Sequence, residues 1–319
     1  FHHAGDLDVP RLGLEVLRQL FRLFFVRPEL VVIVIARRVL FRRDLVVLAT
    51  ASRRRCPERR RTQDTGRDQG TQCQRTGRAD ELAALRATLD RALDGRGGVV
   101  GVVADAGVGK SRLCMEFVEH CRTRGVAIYE AHCPSHGKVV PMLPVLELFR
   151  NYFGITNQDG DQLAREKIAG RILLLDRDLE PFLPLAFEFL GVPDPHRPAE
   201  EVAPAVRQRQ LFAFTRLLVQ ARSVREPAVL FVDDAHWIDE ASDAFFAQVA
   251  DIVPGTRTML LLNFRPEYSA EWMARPSYQQ LPLTPLGNEA IDELLADLLG
   301  SDPSTARLPA LIRERAVGN

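Results

Sequence analysis

The sequence predicts an α/β domain whose parallel sheet is covered by helices on both faces, and three observations predict it. From Ala79 onward, short β-branched or leucine-rich runs alternate with segments of helical period. A glycine-rich stretch with a single Lys joins the first of those runs to a helix. A later apolar run ends in two adjacent aspartates.

The chain of 319 residues, 46% of them apolar, can bury one large core or two ordinary ones. Its charge is balanced overall but not regionally: residues 1–78 hold 17 Arg against 8 acids, and the remainder holds 25 basic and 34 acidic residues. A basic leading segment therefore precedes a mildly acidic domain. Only Lys110, Lys138 and Lys167 interrupt the use of Arg. The five cysteines form no CxxC pair and have no His at zinc spacing, so they read as reduced thiols in a cytoplasmic protein. The run "LVVIVIA" at 30–36 is bracketed by Arg27, Arg37 and Arg38 and falls far short of the ~20 residues of a spanning helix, so no membrane segment is expected. A start at Phe1 and a stop within a helical pattern read as a fragment.

Residues 1–50 carry no motif that attaches to chemistry and stay unassigned. Residues 51–78 combine Arg clusters with Gln, Thr and Gly, a composition that cannot bury enough surface to offset ordering entropy, and read as a disordered linker. The alternative is a basic arm that meets nucleic-acid phosphates, although the interleaved aromatics of a reading module are missing. The core then spans 79–285. Leu82, Leu85, Leu89 and Leu93 recur at helical spacing, with Asp80 placed to cap the start. Strands are expected at "GGVVGVV", 126–133, 227–237 and 258–265, and helices after the glycine-rich loop and near 142–153, 163–175, 181–190 and 203–222. Residues 286–319 turn helical and suggest a small, truncated lid.

The stretch Ala104, Asp105, Ala106, Gly107, Val108, Gly109, Lys110, Ser111 fits a phosphate-binding loop, in which flexible glycines let main-chain N–H groups converge on phosphate oxygens at a helix N-terminus. Lys110 supplies a mobile point charge to the β- and γ-phosphates, the Ser111 hydroxyl is a candidate Mg²⁺ ligand, and Arg112 follows in the helix. Ala104 departs from the commoner Gly and is tolerated where its φ stays negative. The setting of strand, loop and helix separates this reading from a glycine turn with an incidental Lys.

About 120 residues on, Ala228 to Val232 end in Asp233 and Asp234. Successive strand side chains point to opposite faces, so the two acids take different tasks. Asp233 is assigned to the Mg²⁺ shell, mostly through water, and Asp234 to polarising an attacking water. The plain alternative is that the pair caps the following helix. Asp239 is placed to cap the helix from Glu240, and His236 and Trp237 read as packing. Arg265, at the end of the next strand, suits γ-phosphate sensing through its planar fork, against a plain surface Arg. Arg207 and Arg209 in "VRQRQLF" read as solvent-exposed, the alternative being an approach to the nucleotide.

The segments "TGRADELAALRATLDRAL", "GVVADAGVGKSRL", "LFVDDAHWIDEAS", "LLLNFRPEY" and "LIRERAVGN", in this order, resemble the signal-transduction ATPases with numerous domains. Within that group they are similar to the ATPase module joined to class III adenylyl/guanylyl cyclases or LuxR-type regulators in actinobacteria. The resemblance covers about residues 76–319. It implies a three-layer P-loop NTPase fold, ATP and Mg²⁺ as ligands, sensor and output domains as partners, and nucleotide-dependent self-association. It also implies that Gly77 and Arg78 lie near the adenine, with Thr76 in a place usually apolar. Gly318 and Asn319 begin the family's Gly-Asn-Pro element. The expected function is a slowly hydrolysing ATP switch. The alternatives are a non-hydrolysing nucleotide-binding scaffold and a DNA-binding regulator that uses residues 51–78 or a domain further downstream.

Overall fold

The computed structural model describes residues 78–135, 141–285 and 287. The expectations for 1–50, for the linker up to Gly77, and for the lid with Gly318 and Asn319 lie outside the described residues.

In chain order the elements are α1 (Ala79–Leu93), β1 (Gly98–Val103), α2 (Lys110–Thr123), β2 (Ala127–His132), α3 (Leu143–Phe153), α4 (Asp161–Leu175), α5 (Leu183–Phe189), α6 (Pro204–Arg225), β3 (Ala228–Asp233), α7 (Glu240–Ile252), β4 (Thr258–Phe264) and β5 (Tyr278–Pro282). Short 3₁₀ turns precede α5, follow β3 and precede β5. The sheet is parallel throughout, in the order β2-β3-β4-β1-β5.

The three apolar runs at the centre of that order are buried almost end to end, as strands covered on both faces must be. Pleating divides their side chains between two cores. Val100, Val102, Val229, Phe231, Met259 and Leu261 pack under α1 and α2, against Leu85, Leu89, Leu113 and Phe117. On the other face, Leu230 meets a layer drawn from α3, α6 and α7, where Phe149 lies edge-on to Phe245 at 6.0 Å and stacks on Phe214 at 6.1 Å. Helix, sheet and helix make the three layers that the sequence predicts.

Three local expectations change. β5 is an additional strand: only its two intermediate positions, Tyr278 and Leu281, carry apolar bulk, so an edge strand with polar neighbours gives no apolar run. Asp80 makes no cap; α1 starts after Arg78, and Asp80 lies in the first turn, where a carboxylate complements the helix dipole. Arg207 is buried, 6% exposed, because it pairs with Glu188 at 3.0 Å and donates to the Glu200 carbonyl at 2.6 Å. Arg209 is exposed, as expected. Asp239 does cap α7, accepting from the Ser242 N–H at 3.0 Å and its hydroxyl at 2.6 Å. Among the described residues no helix is long and apolar enough to cross a membrane.

Candidate nucleotide site

β1 sits between β4 and β5 in matched register, Val103 opposite both Phe264 and Pro282. The loop after Val103 therefore leaves the sheet at the carboxyl ends of three strands. Ala104 stays tied there by its N–H to the Phe264 carbonyl, 3.4 Å. Only Met142 and Asp234 among the described non-glycine residues have positive φ, so Ala104 keeps the backbone region that tolerates its Cβ. Gly107 (φ 85°) and Gly109 (φ 101°) supply the left-handed turns that no β-carbon fits without strain.

Gly109 is the N-cap of α2, with no capping side chain and no acid in the first turn. Among the described residues, the N–H groups from Asp105 through Arg112 have no main-chain partner; the first such bond of the helix runs from Leu113 to Gly109, 3.0 Å. A set of unsatisfied donors at the positive end of a helix dipole is an anion site by construction. Lys110 is 7% exposed and folds back over the loop, donating through Nζ to the carbonyls of Ala104 at 2.7 Å and Asp105 at 2.9 Å. Burial lowers its pKa from the ordinary lysine value, Asp234 opposes that shift and Arg265 adds to it. The ammonium thus has both groups within electrostatic reach. Ser111 and Arg112 are exposed on the first turn of α2.

The two aspartates are held by a residue that sequence reasoning missed. Asn263, fully buried on β4, donates through Nδ2 to Asp233 Oδ1 and accepts the Asp234 N–H through Oδ1 at 2.8 Å. The signal was present: a lone amide in an otherwise apolar central strand needs partners. Asp233 ends β3, but Asp234 leaves the strand in a left-handed turn (φ 55°, ψ 42°), so strand alternation is not what separates the two acids. Asp234 is half exposed, while Asp233 is bound to Asn263. The Cys114 thiol of α2 backs this cluster; burial pushes it up to about 12, against a hydrogen bond to Asn263, and leaves it inert at neutral pH.

Arg265 follows β4 with a third of its side chain exposed, and Glu267 is its ion-pair neighbour at 4.0 Å. His236 packs on Trp237, ring centroids 5.1 Å apart, and burial lowers its pKa. Arg78 lies beneath the loop: it is 6% exposed, donates to the Val108 carbonyl at 3.0 Å and the Thr284 carbonyl at 2.6 Å, and pairs with Glu81 at 2.9 Å. It fastens the start of α1 to the loop and to the chain leaving β5. The loop, both acids and Arg265 thus converge on one end of the sheet; Gly77 lies outside the described residues.

The family model for the AAA ATPase domain matches residues 74–262, and the chain belongs to that family. It is a nucleotide-binding α/β domain. An uncharacterised protein of Rhizobium meliloti is 30% identical over 216 residues, 66% of this chain; the match spans about a fifth (20%) of that relative's length. Among solved structures, Drosophila ORC bound to DNA gives a TM-score of 0.38 at 12% identity, covering 79% of this chain and 57% of that one. Rhizobiales Trip13 gives 0.36 at 9%, covering 74% and 73%. Likenesses this loose bear on neither ligand nor assembly.

Proposed function

We propose that this chain binds ATP with Mg²⁺ and hydrolyses it slowly, as a switch module within a larger signalling protein of the cyclase-linked or LuxR-type kind that its motifs resemble. The observation that carries the reading is the row of unpartnered N–H groups from Asp105 to Arg112 around the Lys110 ammonium, within electrostatic reach of Asp234. In this reading the loop amides hold the phosphates, and Lys110 leaves its two carbonyls to follow the β- and γ-phosphate oxygens. Ser111 and Asp233, the latter mostly through water, would hold Mg²⁺, and the ion would neutralise phosphate charge. Asp234, half exposed on its left-handed turn, orients the attacking water and takes up its proton. Asn263 fixes both acids, and Arg265 meets the γ-phosphate. Arg78 supports the loop from below, and Gly77 beside it borders the adenine.

The wider organisation belongs to the same proposal. Residues 286–319 close over the nucleotide as a lid, the segment up to Gly77 links the module to its neighbour, and nucleotide occupancy sets contacts with sensor and output domains or with a second copy.

Phosphate release from ATP tests the hydrolytic part. The parent turns over slowly, and Asp234→Asn lowers the rate about a hundredfold or more while ATP still binds. Equal rates in parent and variant remove hydrolysis and leave a nucleotide-binding scaffold.

A further inference from the structure

The carboxyl ends of the strands form the nucleotide site; a second charged surface lies at their amino ends. There the last turns of α3 and α6 and one face of α4 enclose an open groove of about 530 Å³. Its lining brings together Lys167, Arg171, Arg222 and Arg225, with Glu226 as the sole carboxylate among the lining residues. Glu226 caps the end of α6, two residues before β3, the strand whose far end is Asp233.

The groove is built rather than frayed. Arg222 has only 6% of its side chain exposed and lies 4.7 Å from the Tyr129 ring centroid and 6.0 Å from that of Tyr152. Among the described residues its Nε has no hydrogen-bond partner, and the only acid it meets is Glu226, 3.2 Å away and half exposed. Arg171 lies 4.7 Å from the Tyr152 ring and donates to the Tyr129 hydroxyl at 3.1 Å. Arg225 donates to the Leu175 carbonyl at 2.5 Å. Lys167 is neutralised by Asp159 at 2.7 Å, and no carboxylate pairs with Arg171 or Arg225 among the described residues. Beside these cations Leu174 is 76% exposed, and its neighbour Leu173 is 37% exposed.

We infer that this groove docks an acidic protein segment that carries an apolar side chain among its carboxylates. Guanidinium forks whose planes are fixed on tyrosine rings match carboxylates in geometry and charge. The apolar side chain covers Leu174, which a small oxyanion would leave bare. Nucleic acid fits less well, because single-stranded bases need open aromatic faces and those of Tyr129 and Tyr152 are already taken by arginines.

The test uses the full chain and a short fluorescent peptide alternating Glu with Leu, beside the same peptide with Gln for Glu, inorganic phosphate and a single-stranded oligonucleotide. The Glu peptide binds saturably, and binding falls with added salt. The double variant Arg171→Glu, Arg225→Glu weakens binding about tenfold or more; it gives up the Arg171 contacts with the Tyr152 ring and the Tyr129 hydroxyl, yet keeps a cooperative melt and unchanged ATP affinity. Equal binding of the Glu and Gln peptides, unaltered binding by the double variant, displacement of the peptide by phosphate alone, or tighter binding of the oligonucleotide would each overturn the inference. Because ATP affinity is read separately, failure here leaves the nucleotide site standing.

Discussion

At the carboxyl ends of the strands, Lys110 rests on two main-chain carbonyls and two aspartates share one asparagine; at the amino ends, Arg171 and Arg222 rest on tyrosine rings. The first region opposes charges of both signs across a set of empty amide donors. The second lines four cations against one carboxylate, beside bare leucine. A balanced site with free N–H groups suits a small polyanion whose charge changes during a reaction. A mainly cationic groove with an apolar margin suits a partner that stays as it is. The same sheet thus offers chemistry at one end and docking at the other, joined by β3.

The comparison breaks most readily at Asn263. Asn263→Ala leaves the Asp233 carboxylate and the Asp234 N–H without their partner, and stability falls by about 2–3 kcal/mol, read by urea denaturation. ATP affinity falls with it, since both acids lose their anchor. A loss well under 1 kcal/mol would mean that the acids do not depend on the strand beside them.

The two regions also differ in how much of them could be read from the chain. The loop from Ala104 to Ser111 is consecutive, and its meaning depends on the strand before it and the helix after it, both strongly patterned. β3 and its terminal aspartates were legible for the same reason. Asn263 was visible as a residue, but its partners lie some thirty positions away in sequence, so its role required the register between β3 and β4. The left-handed turn at Asp234 left no mark, because nothing in "VDDAH" demands a positive φ. Arg207 read as exposed because its partners Glu188 and Glu200 come from segments that only folding brings together. The amino-end groove was illegible altogether: three helices each contribute one or two arginines or tyrosines, and no single stretch shows a motif.

Gly109→Ala is the next largest effect at the nucleotide end. A β-carbon there meets nothing within 4 Å, so the cost is backbone strain alone, about 1–2 kcal/mol. Denaturation of the variant without nucleotide isolates that term. A neutral outcome would mean that the loop relaxes out of its left-handed turn.

At the groove, Arg222→Gln removes the cation from two tyrosine rings and costs about 0.5–2 kcal/mol. ATP affinity stays at the parent value, which sharpens the separation between the two ends. A parallel fall in ATP affinity would show that β3 couples them.

Sensitivity to pH near neutrality is the smallest effect, and at the carboxyl end it rests on His132 and His236. The hydrogen bond that His132 donates to the Glu147 carboxylate raises its pKa, so its contribution is full below the ordinary value of about 6.5 and is lost as pH rises through the raised one. Burial lowers the His236 pKa, so its contribution is present above about 6.5 and is lost as pH falls through the lowered value. Melting curves from pH 5 to 8 should therefore show His132→Ala erasing a gain on the acid side and His236→Asn erasing a loss there. Matching curves for parent and variants would contradict both assignments.

Calorimetric titration of ATP with Mg²⁺ into the parent and into Lys110→Ala addresses the central claim most directly. The parent is expected to bind one nucleotide per chain, and the variant to bind it about a hundredfold or more weakly, because the ammonium that answers the phosphate charge is gone while the loop amides remain. Equal affinity in the two proteins, or no binding by the parent, would contradict the assignment of this loop as the phosphate grip.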